Sequence, residues 1–72
     1  MTIYQLVAHG HSAVTGQLRT VASKKAHRKE KKAIEEKKEF IKRLTTPVDK
    51  YDMGYLDKKN LRVYVEYIEL VD

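Results

Sequence analysis

Few residues of this 72-residue chain have chemistry to offer: His9, His11, Ser12, His27, ten carboxylates, and a dense run of lysines and arginines between Ser23 and Leu44. His9 and His11 fall on one side of an extended segment, and three imidazoles can hold zinc if His27 comes near. No carboxylate stands beside them in sequence, however, and the chain has no cysteine. Neither a metal nor a cofactor is expected. Glu66 and Glu69 differ in strand parity, and Asp49, Asp52 and Asp57 fall in a turn-rich stretch without the calcium-loop pattern. No two carboxylates are therefore placed to divide acid and base roles.

Two short stretches imitate catalytic motifs. "LVAHGHS", Leu6 to Ser12, is similar to the strand-end LVRHG motif of histidine phosphatases, a likeness that implies His9 as a phosphohistidine nucleophile. Ala8 stands where that family has its phosphate-holding arginine, and the family's fold needs more than twice this length. "GHSAV", Gly10 to Val14, resembles the start of the G-x-S-x-G nucleophile elbow, but Val14 replaces the final glycine. No large α/β sheet can stand behind Ser12 to supply an acid and a histidine. A hairpin loop is the expected role of these residues, and no catalytic residue and no enzymatic activity are expected.

The elements that must position any functional surface follow from patterning. "TIYQLVA" predicts a strand over about residues 2–9, and "QLRTVA" predicts its antiparallel return over about 17–22, the two joined through Gly10, Ser12 and Gly16. Ser23 is suited to cap a helix over about 24–45, which Pro47 stops, with Ala26, Ala33, Ile34, Phe40, Ile41 and Leu44 in one apolar sector. Residues 46–60 form a connection rich in aspartate and turn residues, and 61–71 a third strand. In that strand Leu61, Val63, Val65 and Tyr67 share one face, and Tyr64, Ile68 and Leu70 the other. The expected architecture is an α+β single domain: a three-stranded antiparallel sheet in ββαβ order, packed on one long, basic, amphipathic helix. One helix covers one sheet face, which leaves the second apolar row to a bulge, to Tyr51 and Tyr55 of the connection, or to a partner.

This layout, with "IYQLVA" opening and "VYVEYIEL" closing the chain, resembles small phage and bacterial accessory proteins. That likeness implies a small cytoplasmic modulator, acting in the host cytoplasm if phage-encoded. The absence of cysteine fits a reducing compartment, and "MTIYQLVAHGH" has no basic, apolar leader pattern. No apolar run approaches the roughly 20 residues of a membrane span, and no membrane partner is expected.

Charge is the remaining signal. Fifteen basic and ten acidic residues give +5, and Ser23–Thr45 alone holds ten of the basic and four of the acidic ones, so the rest of the chain is near neutral. Glu35, Glu36 and Glu39 sit three or four residues from lysines or Arg43, whereas Lys24, Lys25, Arg28, Lys29, Lys31 and Lys32 have only Glu30 near them. Cations at a helix start oppose the macrodipole, a strain an incoming anion would relieve. Lys24, Lys31 and Lys38 form a ridge at seven-residue spacing. The expected function is a non-enzymatic binding protein, a modulator or inhibitor of a host or cellular protein, that steers onto an acidic protein surface with the basic helix (Lys24, Lys25, Arg28, Lys29, Lys31, Lys32 and Lys38) and makes contact through Tyr51, Tyr55, Tyr64 and Ile68. The alternative is sequence-nonspecific nucleic-acid binding through the same lysines, and a homodimer through the open sheet face is a further arrangement the apolar row suggests.

Overall fold

A computed structural model describes residues 1–71. Strands β1 (Thr2–His11), β2 (Leu18–His27) and β3 (Arg62–Glu69) make one antiparallel sheet in the order β2-β1-β3, and helix α1 (Glu30–Thr45) lies against one face. The α+β class and the ββαβ order are those the pattern predicts. The molecule measures 42 × 20 × 20 Å with a radius of gyration of 13.3 Å. A globule of this length would have a radius of about 11 Å, so the domain is elongated and its two ends are separate places.

The central strand β1 supplies the core. Leu6 and Ala8 are fully buried on its helix face against Phe40, and Leu44, Leu61, Val63 and Val65 close around them. The small residues of β1 admit close neighbours: a Cβ on Gly10 would stand 2.9 Å from Leu61 Cδ1 and 3.4 Å from Leu56 Cδ1. Leu56, expected to lie in a plain connection, is 1 % exposed. It is held by a 2.7 Å bond from its N–H to the Leu44 carbonyl at the end of α1, and it bridges to Ser12 beyond β1.

The helix starts six residues later than expected. Lys24 to His27 continue β2 instead, with His27 opposite Tyr4 and Ala26 opposite Gln5. Between Ala26 and Ala22 the register slips, so Ser23, Lys24 and Lys25 stand against Leu6 alone, a bulge with two extra residues. Ser23 is therefore not a helix cap. Its hydroxyl donates to Glu36 Oε1 at 2.9 Å and accepts from the Lys25 N–H at 3.2 Å, while its carbonyl accepts from Gln5 Nε2 at 2.6 Å. Pairing with the start of β1 satisfies the backbone of residues 24–27 better than a fraying helical turn would, and tertiary contact overrides the helix-forming residue types. Lys29 occupies the cap position in extended conformation, with no side-chain bond.

The buried helical face is also rotated. Ala33 and Phe40 are buried with Glu36 between them, Ile41 and Leu44 are half-buried, Ile34 is 53 % exposed, and Ala26 is an exposed strand residue. A carboxylate displaces Ile34 because the bulge offers it hydrogen-bonding partners there.

The connection is ordered by its aspartates. Asp49, Asp52 and Asp57 each accept a bond from the N–H two residues on, at Tyr51 (2.8 Å), Gly54 (2.8 Å) and Lys59 (3.0 Å). Asp52 also accepts from Val48 N–H at 3.0 Å, and Arg19 donates to the Gly54 carbonyl. The Val48 N–H, then that of Gly54, with help from the Arg19 charge, hold the Asp52 carboxyl below the usual aspartate value.

Two outcomes are expected. Leu56→Ala costs about 2–5 kcal/mol in urea titrations, as for other buried leucines, whereas Ile34→Ala stays within about 0.5 kcal/mol. Equal effects would place the buried helical face wrongly. The ordering by Asp52 is fully present above the ordinary aspartate pKa and is lost as pH falls below it through the lowered value. Amide exchange at Val48 and Gly54 is therefore expected to accelerate on acidification before that of β1, and Asp52→Asn is expected to blunt this pH dependence.

Candidate functional site

The bulge and the late helix start redistribute the cations. Lys24 and Lys25 lie on the edge strand β2, Arg28 and Lys29 in the link, and Lys31 and Lys32 in the first turns of α1. Instead of a single helical ridge, the six cations spread over three elements: Arg28, Lys29, Lys31 and Lys32 at the β2–α1 junction, and Lys24 and Lys25 on the β2 edge opposite Leu6, where Lys24 borders a cavity with Phe40, Arg43 and Leu44. The ridge proper survives only as Lys31 and Lys38, with Lys42 beside Lys38 among Glu35 and Glu39. One exposed ion pair, Lys32 to Glu35 at 3.7 Å, offsets little of the charge. The uncapped start of α1 adds its own partial positive charge to this end.

Glu36 ties the junction together from below. Its Oε1 accepts from the Ser23 hydroxyl and stands 3.6 Å from His27 Nε2, with 11 % of the side chain exposed. The His27 Nε2 atom is buried and has no hydrogen-bond partner. Serine, glutamate and histidine thus meet, but the carboxylate sits between the other two, so His27 has no contact through which to take a proton from Ser23. The arrangement positions the bulge on the helix.

The other residues singled out by the sequence separate. His9 lies on the open sheet face, its Nδ1 3.0 Å from Thr20 Oγ1 and its Nε2 2.9 Å from the Tyr64 hydroxyl, with the two rings stacked at 5.4 Å. Thr20, His9 and Tyr64 thereby form a polar row across all three strands. His27 pairs with Tyr4 and faces the helix side, away from His9 and His11, and among the described residues no three metal-ligating side chains converge. Ser12 is buried, donating to the Met53 carbonyl at 2.6 Å and accepting from the N–H groups of Val14 and Thr15 at 3.2 and 3.1 Å. Its hydroxyl is a loop anchor.

Tyr51 and Tyr55 follow the C-terminal end of α1, a helix length of about 24 Å from Lys31. Tyr51 is exposed and carries Lys50 over its ring at 5.1 Å. Tyr64 and Ile68 lie on the open face, Ile68 half-buried opposite Ile3. The expected apolar contact residues and the basic residues therefore do not form one footprint. Different residues border the basic end. His27, Tyr4 and Tyr67 stand in one cross-strand row there, with Tyr67 75 % exposed, and Met1 and Leu70 exchange backbone bonds beside them. Only the extension of β2 to His27 brings this row to the cations, and "SKKAH" gives no sign of it because its residue types suit a helix equally well.

No protein-family model, curated protein or solved structure matches this chain. No helix among the described residues is long and apolar enough to cross a membrane.

The role of Glu36 is testable. Glu36→Ala removes the acceptor of a buried hydroxyl and is expected to cost about 1–3 kcal/mol, whereas Glu36→Gln keeps an acceptor for Ser23 and costs less. Equal losses in urea titrations would mean that volume, and not the hydrogen bond, holds the bulge.

Proposed function

We propose that this is a small binding protein without catalytic activity that docks its basic end on an acidic protein surface and so modulates that partner. One observation carries the reading: Arg28 and Lys29 of the β2–α1 link and Lys31 and Lys32 of the first turns of α1 follow His27 at the end of the sheet where Met1, Leu70 and Val71 are exposed, with Lys24 and Lys25 farther along the β2 edge. Fixed positive charge steers the encounter, and adjoining apolar area supplies contact, as at the core and rim of protein interfaces. That the Ser12 hydroxyl and both His9 nitrogens are engaged in structural hydrogen bonds supports the absence of a reaction centre at these positions.

A second reading, backbone-driven binding of nucleic acid, is favoured by Tyr4 and Tyr67 beside the same cations, where an exposed ring could stack on a base. Aliphatic neighbours outnumber accessible rings at this end, and the protein partner is preferred.

The combined reversals Lys24→Glu, Lys25→Glu, Arg28→Glu and Lys32→Glu test both. All four side chains are exposed, so circular dichroism and the urea midpoint are expected to stay near wild type. In affinity capture with the tagged chain, the wild type is expected to retain a specific protein after nuclease digestion and the reversed variant to lose it. Loss of all captured material on nuclease digestion, with affinity falling steeply as salt rises, would instead select nucleic acid. Equal retention by both chains at low salt would remove the basic end from function.

A further inference from the structure

The two edges of the sheet are built differently. At one edge, β2 carries a bulge with Lys24 and Lys25 in it, both devices that keep a strand edge from recruiting another chain. The other edge has neither. β3 runs eight residues with no lysine, proline or bulge, in unbroken register with β1 from Thr2 opposite Glu69 to His9 opposite Arg62. Val63, Val65 and Tyr67 alternate along it with Arg62, Tyr64 and Glu66, and every other backbone N–H and C=O pair points away from β1. Among the described residues no fourth strand takes those groups.

We propose that the β3 edge pairs antiparallel with β3 of a second copy, about a two-fold axis at Tyr64, to make a continuous six-stranded sheet. In such a self-complementary pair, if residue i faces j then j faces i, and the pleat allows only partners on the same face. With the axis at Tyr64, Arg62 faces Glu66 of the second copy and Glu66 faces Arg62, while Val63 meets Val65 on the helix side. Shifted to Val65, the axis would set Arg62 against Ile68 and Glu66 against Tyr64. At Glu66 two carboxylates would oppose each other, and at Val63 Glu66 would face Asn60. Among these registers only the one centred on Tyr64 matches opposite charges.

The monomer is prepared for this register. Neither Arg62 nor Glu66 has an ion-pair partner among the described residues, and their neighbours on β1 are His9 and Gln5. The Tyr64 hydroxyl is bonded to His9 Nε2, which draws its ring back toward β1 and away from the edge. Each copy carries +5, which opposes association, but antiparallel pairing sends the two basic ends to opposite poles of the dimer. The open sheet face is a weaker candidate for self-association because the Thr20–His9–Tyr64 row already gives its centre satisfied polar groups.

Sedimentation equilibrium of the full chain tests the pairing with Arg62→Glu, Glu66→Arg, and a variant carrying both, each checked for folding by circular dichroism. The wild type is expected to dimerise below about 1 mM. Either single reversal, which sets like charges against each other at two symmetry-related places, is expected to weaken the dimer about tenfold or more. The double variant restores opposite charges and is expected to regain wild-type association. A wild type that stays monomeric to that concentration, single variants that dimerise like the wild type, or a double variant that fails to recover would each overturn the proposal. Because the basic end is untouched, loss of dimerisation with partner binding intact would separate this pairing from the binding function.

Discussion

Leu6 faces three residues of its neighbouring strand where one would normally stand, and the rest of the molecule is arranged around that mismatch. The buried side chain of Leu6 sits against Phe40 on the helix side. The slack in β2 opposite it turns Ser23 inward and leaves Lys24 and Lys25 outward. A bulge increases local twist and bends its strand, and here it also delivers a hydroxyl to the helix, where Glu36 accepts its hydrogen bond. Without the slip, an unbroken register would set Ala26 opposite Ile3 and His27 opposite Thr2, in place of Gln5 and Tyr4.

That single irregularity places both the polar link of the core and the charged end of the surface. A carboxylate almost removed from water is tolerable only with partners, and Ser23 and His27 are both products of the bulged strand. The same residues that fix the link hold the cations outside it. Lys24 and Lys25 follow Ser23, and Arg28 and Lys29 follow His27. The bulge and the register of β2 therefore set where the backbone presents these cations, while their side chains stay exposed. Oriented charge is what makes electrostatic steering selective for a partner's position as well as its sign.

The three strands were legible because β1 and β3 are rich in β-branched and aromatic residues, and because the short link between β1 and β2 fits only an antiparallel return. The helix start was not. "SKKAHRKEKKA" suits a helix by residue type, with Ser23 in the place of a cap, and only the presence of Tyr4 and Gln5 across the sheet decides otherwise. Periodicity likewise set Ile34 inside, since an aliphatic side chain is preferred in the core when no polar partner is known. The Ser23 hydroxyl, which reverses that preference for Glu36, is visible only once the bulge is formed. Leu56 lay within a stretch of turn residues, and its signal was present but slight: an aliphatic residue beside Tyr55, between the aspartates at 52 and 57 whose side chains tie the flanking backbone. The basic end was legible as charge and illegible as shape, because Tyr4 and Tyr67 join it through strand register alone.

The two faces and two edges of a three-stranded sheet present four surfaces to account for, and each has a different physical solution here. Helix α1 covers one face. The other carries the Thr20–His9–Tyr64 row beside Gln5, Arg62 and Glu66, polar groups that face water while Val7 beneath them stays buried. The β2 edge is blunted by its lysines and its bulge, so the irregularity opposite Leu6 serves the surface as well as the core. The β3 edge has neither lysine nor bulge, and its charges are Arg62, Glu66 and Glu69. Covering the last edge with an identical one would lengthen the sheet, set each Arg62 against a Glu66, and leave the basic end of each copy clear.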